Sequence, residues 1–175
     1  MTVYSIWDQA AESFAETGFT GTLATNFSLT SSTPLTGIWV YSPSGATPLP
    51  AACAIYDVNS MTAVAGTLDN SPSWSGAAGS GWVKRSYNGS VTLTASTSYA
   101  VAVFYDSANV AYLDFSSWPV TSGIISASGA SSDTGGSIAY PETPAGDFTY
   151  WVDVEITTVA PPNVPPVLYS MRTYP

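Results

Sequence analysis

Near the end of the chain, in Tyr150-Trp-Val-Asp-Val-Glu-Ile156, two carboxylates stand two positions apart, Asp153 and Glu155. On a strand, positions i and i+2 share a face at about 7 Å. That lies near the spacing of the paired carboxyl groups of glycosidases. Such chemistry needs one carboxyl to keep its proton at neutral pH, and the neighbouring sequence offers nothing to hold it. A solvated strand face is therefore the expected role of the pair. The chain has no His, which removes Ser-His-Asp and Cys-His arrangements and the common His-based zinc sites. Cys53 is the single cysteine. It lies in phase with Ile55 and reads as a small buried hydrophobe, and no intrachain disulfide can form. The glycines of Gly76–Lys84 run into a strand pattern, without the helix that a phosphate loop opens. Asp57, Asn59, Asp69, Asp106, Asn109, Asp114 and Asp133 fall at strand ends or in loops. Their hard oxygen ligands suit Ca²⁺, but no EF-hand spacing is present and turn formation accounts for the same residues. The expectation is a protein that is not an enzyme and holds no cofactor, Ca²⁺ being the one ion the pattern leaves open.

The aromatic residues offer a different chemistry. Trp39, Tyr41, Tyr56 and Trp151 are out of phase with the aliphatic positions of their strands. Exposed aromatics anchor protein interfaces or stack on sugar rings, and covering by a long loop would explain them equally. The segment after the last strand pattern, 159–175, contains Pro161, Pro162, Pro165 and Pro166, which donate no ladder hydrogen bonds and favour extended geometry. Val164, Val167, Leu168, Tyr169, Met171 and Tyr174 make it too apolar for a solvated linker. The expectation is that it docks on a neighbouring protein, with folding back over its own domain as the alternative. The candidate partner-binding set is Trp39, Tyr41, Trp151, Val164, Val167, Leu168, Tyr169 and Tyr174.

The elements that must position these residues are strands. Leu23, Thr25, Phe27 and Leu29 alternate with polar positions. Ile38 and Val40 oppose Trp39 and Tyr41, and Cys53 and Ile55 oppose Ala54 and Tyr56. Tyr99, Val101, Val103 and Tyr105 share one face, and Asn109–Phe115 reads as a further strand after an Asp106–Asn109 turn. Phe148 to Thr157 reads as one strand, with Trp151 and Asp153 on its wet face. This is a period of two almost throughout, broken by Pro-Ser-Gly, Asn-Ser-Pro and Asn-Gly turns. No strand–helix alternation appears, so the pattern points away from a parallel sheet. The fold class is all-β: a single antiparallel β-sandwich, jelly-roll or Ig-like, with extended termini. Its expected core includes Phe27, Ile38, Val40, Ile55, Val101, Val103, Val152 and Val154. Ser116 to Ala145 reads as a long Gly/Ser loop over the sandwich rim with a short strand at Gly123–Ser128. The expected division is an N-terminal arm at 1–19, the sandwich at 20–158 and the Pro-rich segment at 159–175. Within the arm, Asp8–Glu16 could make a helical turn, and Val3–Trp7 an edge strand or an arm onto a neighbour.

At 175 residues the chain suits one domain. Its net charge of −9 rests on three cations, Lys84, Arg85 and Arg172, so it repels phosphate backbones and no nucleic-acid partner is expected. Charged residues make up 9%, against roughly 25% in an average soluble protein. The surface is wetted by hydroxyls instead, a composition common on exposed, secreted or virion-borne β proteins. Met1–Phe14 lacks the basic and apolar regions of a signal peptide, and no long apolar span occurs, so no membrane partner is expected. Synthesis in a cytoplasm is the expectation, and the glycosylation patterns at Asn26 and Asn88 then carry no weight.

Five segments in order, Thr36–Tyr41, Ala54–Val58, Gly81–Lys84, Val91–Val103 and Tyr150–Ile156, resemble a bacterial domain-of-unknown-function family. Its β-sandwich modules occur as repeats in secreted proteins and singly in phage structural proteins. The resemblance covers 20–157, with Ala95-Ser96-Thr97 replacing the family's glycine-bearing turn. It implies no catalytic residues. It implies a structural virion protein, expected to be a capsid decoration or minor capsid protein. The implied partners are the major capsid protein or other virion proteins, and further copies of the chain in a homo-oligomer. A tail-associated or carbohydrate-binding adhesive module that meets a surface glycan is the alternative.

Overall fold

The computed structural model describes residues 2–7, 14–44, 48–114 and 117–158. They form an all-β sandwich of two antiparallel sheets with no helix among them. In the first sheet β1 (Thr2–Tyr4), β13 (Val152–Thr158), β3 (Thr33–Ser42) and β6 (Gly81–Ser86) lie side by side in that order, and β7 (Thr92–Leu93) also pairs with β3. The second sheet runs β11 (Thr143–Pro144), β10 (Ile125–Asp133), β2 (Phe14–Leu29), β8 (Ser98–Asp114), β4 (Ala52–Asp57) and β5 (Thr62–Ala63). There β9 (Val120–Ser122) pairs with β10, and β12 (Phe148–Thr149) with β8.

Alternation puts one apolar face of each sheet inward. Ile38, Val40, Val83, Val152, Val154 and Ile156 of the first sheet meet Leu23, Phe27, Ile55, Val101, Val103 and Ile125 of the second, all fully buried. Every residue expected in the core is there. Burial of a side chain of this size contributes about 1.5–3 kcal/mol. Thr25 shares the inner phase of β2, and its hydroxyl donates to the Val152 carbonyl across the sandwich at 2.7 Å. A buried hydroxyl is tolerated because it is bonded.

The outer face of the second sheet is also covered. Ala24, Ala54, Ala100 and Ala102 form a shallow stripe with Tyr56, against which Ile138 and Tyr140 pack. Small side chains let the chain lie close. The Ser116–Ala145 stretch is therefore more than the rim loop expected of it. Its described part contains β9, β10 and β11, and β10 pairs along β2 from Ile125↔Leu29 to Asp133↔Thr22. The short strand expected at Gly123–Ser128 is the start of β10; Gly and Ser had hidden its continuation to Asp133, whose ladder needs only backbone.

Two further expectations are corrected, and one of the alternatives at the N-terminus is decided. The Asp106–Asn109 turn is absent: β8 runs on through Ser107, which takes φ 56°, and pairing with β2 resumes beyond a register shift. At the N-terminus the edge strand considered within Val3–Trp7 is present as β1. Tyr4 pairs with Ile156, Ile6 and Trp7 join the core, and β2 begins at Phe14, inside the segment considered for a helix. Phe148–Thr157 is not one strand but two. β12 belongs to the second sheet and β13 to the first, and Trp151 between them has φ 52°. A left-handed residue there turns the chain from one layer to the other and breaks the alternation. Ser96, in the turn that lacks its glycine, takes φ 59°, and its N–H bonds to the Leu29 carbonyl at 2.8 Å.

Candidate functional site

Asp153 and Glu155 sit on β13, opposite Trp39 and Gly37 of β3. Asp153 is not solvated. It is 0% exposed, because Ser5–Trp7 crosses over it after β1. One carboxylate oxygen accepts the N–H groups of Ile6 at 2.7 Å and Val154 at 2.7 Å, and the other accepts the N–H of Trp7 at 3.0 Å. Burial pushes its pKa up to about 7, against the lowering effect of these three donors, and the nearby Glu155 charge adds to the rise. The side chain closes backbone donors that an irregular segment would otherwise bury unpaired. It acts as a clamp on the N-terminal segment.

Glu155 faces the other way along the sheet. One oxygen accepts Lys84 Nζ at 2.6 Å and the Thr36 hydroxyl at 2.9 Å, and the other accepts the Trp39 indole N–H at 3.0 Å. Partial burial alone would raise its pKa, but bonds from Lys84, Thr36 and Trp39 outweigh that and hold it below the usual carboxylate range. Lys84 lies 5.3 Å from the centre of the Trp39 ring. Each carboxylate is occupied by structural partners, and the two face different surroundings. The geometry does not present them to a shared substrate.

Beside the clamp runs a row of aromatic rings. Trp7 meets Trp118 at 5.7 Å and Trp151 at 5.0 Å, Trp151 meets Trp82 at 6.4 Å, and Trp82 meets Tyr41 at 5.7 Å, all edge to face. Trp151 is 6% exposed, which corrects its expected place on a wet face. The N-terminal segment that buries Asp153 covers it too. Trp39 and Tyr41 are half-buried. Val164, Val167, Leu168, Tyr169 and Tyr174 lie outside the described residues.

A second cluster surrounds Cys53, where sequence reasoning had placed only a buried thiol. Its sulfur lies 3.8 Å from the Tyr87 hydroxyl, which donates to the Thr67 carbonyl at 2.7 Å. Burial pushes the thiol up to about 11, so it is protonated and not nucleophilic at neutral pH. Arg85 pairs with Asp69 at 2.7 Å and lies 4.9 Å from the Tyr87 ring centre. An open groove of about 350 Å³ follows, lined by Gly66, Arg85, Ser86, Tyr87, Asn88 and Ser90. The signal for it was Lys84-Arg85, two of the chain's three cations.

The residues considered for Ca²⁺ are scattered. Asp57 accepts the N–H groups of Asn59 at 2.8 Å and Ser60 at 3.1 Å, and Asp69 accepts that of Ser71 at 3.0 Å. Both shape turns. Among the described residues no three His, Cys, Asp or Glu side chains converge to hold a metal. A second groove, of about 380 Å³, lies between the two sheets' edges and is lined by Val3–Trp7 with Thr121 and Ser122.

No family model matches this chain, and neither a curated protein nor a solved structure matches it.

Proposed function

We propose that this chain is a non-enzymatic structural protein of a bacteriophage particle, a capsid decoration or minor capsid protein. The observation that carries the reading is where the last strand leads. β13 ends at Thr158, beside Thr2 of edge strand β1, and the sequence continues into a segment rich in Pro, Val and Tyr with no Asp or Glu. An apolar, proline-rich sequence of this kind is suited to docking on a neighbouring protein. The sandwich then acts as a rigid carrier, Asp153 and Glu155 serve its architecture, and partner contact falls to the terminal segment with the half-buried Trp39 and Tyr41. The resemblance to single-module phage structural proteins supports the same role. Repeated copies on a particle would gain by avidity from individually weak contacts.

Mass spectrometry and antibody labelling of purified particles test the proposal, with wild type compared against a chain lacking Pro161–Pro175. The wild type is expected on the particle and the shortened chain in the supernatant. Absence of the wild-type protein from particles overturns the reading.

A second reading, an adhesive module on the tail or surface that meets glycans, has one observation in its favour. The Arg85 groove sets guanidinium, amide and hydroxyl groups beside the Tyr87 ring, a combination suited to sugar hydroxyls. Glycan-array binding that is lost in Asn88→Ala would favour it over the first.

A further inference from the structure

β1 is the outermost strand of the first sheet among the described residues, with β13 on its inner side. Alternate residues along such a strand direct their N–H and C=O groups away from the partner, which makes the edge a template for one more strand. Beyond it the second sheet's own edge, β9, stands as the opposite wall. The 380 Å³ groove between them is lined on this side by Val3–Trp7; Val3 and Tyr4 belong to the strand, while Ile6 and Trp7 already give their N–H groups to Asp153 and line the groove without offering a ladder. Val3 lines it at 58% exposure, an apolar side chain on a strand edge where charge is the usual protection.

We propose that this groove receives Val167–Met171 of a second copy of the chain as an added strand, so that copies are joined tail to groove. The inference rests on the docking reading above and names its partner. Three observations select this occupant. Val167-Leu-Tyr-Ser-Met171 is the apolar run of the terminal segment that contains no proline, so each residue keeps the backbone N–H that pairing in either phase needs, and it equals in number the residues Val3–Trp7 that line the groove. Residues 1–158 carry all twelve carboxylates against Lys84 and Arg85, whereas the segment beyond has Arg172 and no carboxylate. The segment thus lacks the acidic side chains by which the rest of two copies repel each other. Direction favours a second copy over the same one. A chain leaving Thr158 arrives at the Thr2 end of β1 and would have to reverse to lie along it, parallel to β1. Ala160, Pro161, Val164 and Pro165 each precede a proline, which disfavours the compact backbone such a reversal needs. A segment from another copy enters from the Trp7 end and pairs antiparallel, the slightly stronger arrangement.

The test uses full-length chains. Light scattering after size-exclusion chromatography should show wild-type mass rising above the 18.2 kDa monomer as concentration increases. Val3→Lys blocks the groove and Leu168→Asp blocks the segment, and each alone should be monomeric with the wild-type thermal midpoint. Mixed together, they should form a one-to-one complex, since one chain keeps its segment and the other its groove. Thr121→Lys on the facing wall should repeat the Val3→Lys result and guards against a local folding effect. A wild type that stays monomeric at every concentration, a Val3→Lys chain that still assembles, or a mixture that yields no complex each overturns the proposal. A monomeric wild type whose Leu168→Asp variant changes its Trp fluorescence would give the groove to the chain's own segment and overturn it equally. Failure of the particle reading looks different: the mixed complex forms, but the protein is not found on particles.

Discussion

Asp153 carries more of this structure than its neighbours suggest. Three backbone N–H groups converge on it in a site closed to water. In Asp153→Asn one oxygen becomes an amine that must face an N–H donor, and a loss of about 1–3 kcal/mol at pH 7 is expected, read by urea unfolding. The pH profile gives an independent check. With a folded-state pKa of about 7 against an ordinary 3.8, the folded chain holds the extra proton between these values. Stability from this group is therefore full below about pH 4 and lost as pH rises through 7. Wild-type stability should fall between about pH 4 and 7, and in Asp153→Asn that slope should flatten. An unchanged slope would remove Asp153 as its source. Ser96 offers the opposite case. A non-glycine residue at φ 59° bears a steric cost of about 1 kcal/mol that glycine avoids. Ser96→Gly should raise the thermal midpoint by about 2–4 °C in a domain of this size.

Among the elements, the edge of the first sheet depends on one close contact. Tyr4 of β1 lays its ring where a side chain at Gly123 would stand, and Gly123 itself has φ 57°. Gly123→Val must displace Tyr4 or the turn between β9 and β10. Hydrogen exchange at the Ile6 and Trp7 amides is expected to rise by about tenfold or more, with the β2–β8 amides unchanged. Uniform acceleration would mean that the edge does not open as a unit. Val103→Asp belongs to the other extreme. It buries an unpaired charge at the centre of the longest strand pair, and a loss of several kcal/mol in thermal or urea unfolding is expected. The strands holding these residues were legible where apolar and polar positions alternate, as in Leu23–Leu29 and Tyr99–Tyr105. Of β10 only the start was legible, within the short strand expected at Gly123–Ser128, because Ser-Ala-Ser-Gly-Ala-Ser-Ser gives a period of two almost no contrast. The change of sheet at Trp151 was equally hidden. Phe148–Ile156 keeps its alternation in sequence while the chain crosses from one layer to the other.

At the scale of the molecule, the sandwich is closed by residues before Thr158, with Val152, Val154 and Ile156 all in the core. Removing Pro161–Pro175 should therefore leave the thermal midpoint of the monomer within about 2 °C, the range of changes that touch no core contact. A cooperative transition lost on truncation would show that the segment completes the fold. The sequence by itself determined the fold class and the inner face of nearly every strong strand, because burial imposes a period that side chains must obey. It also determined the acidic charge and the lack of His-dependent chemistry, which composition fixes directly. Only the tertiary structure decided that Asp153 and Trp151 are buried, that Glu155 is spent on Lys84 and Trp39, and that Val3–Trp7 borders a groove. Each of these depends on a segment about 150 residues away in sequence or on a neighbouring strand's register. Local alternation reports which way a side chain points from its own sheet, but it carries no information about what is laid over the other face.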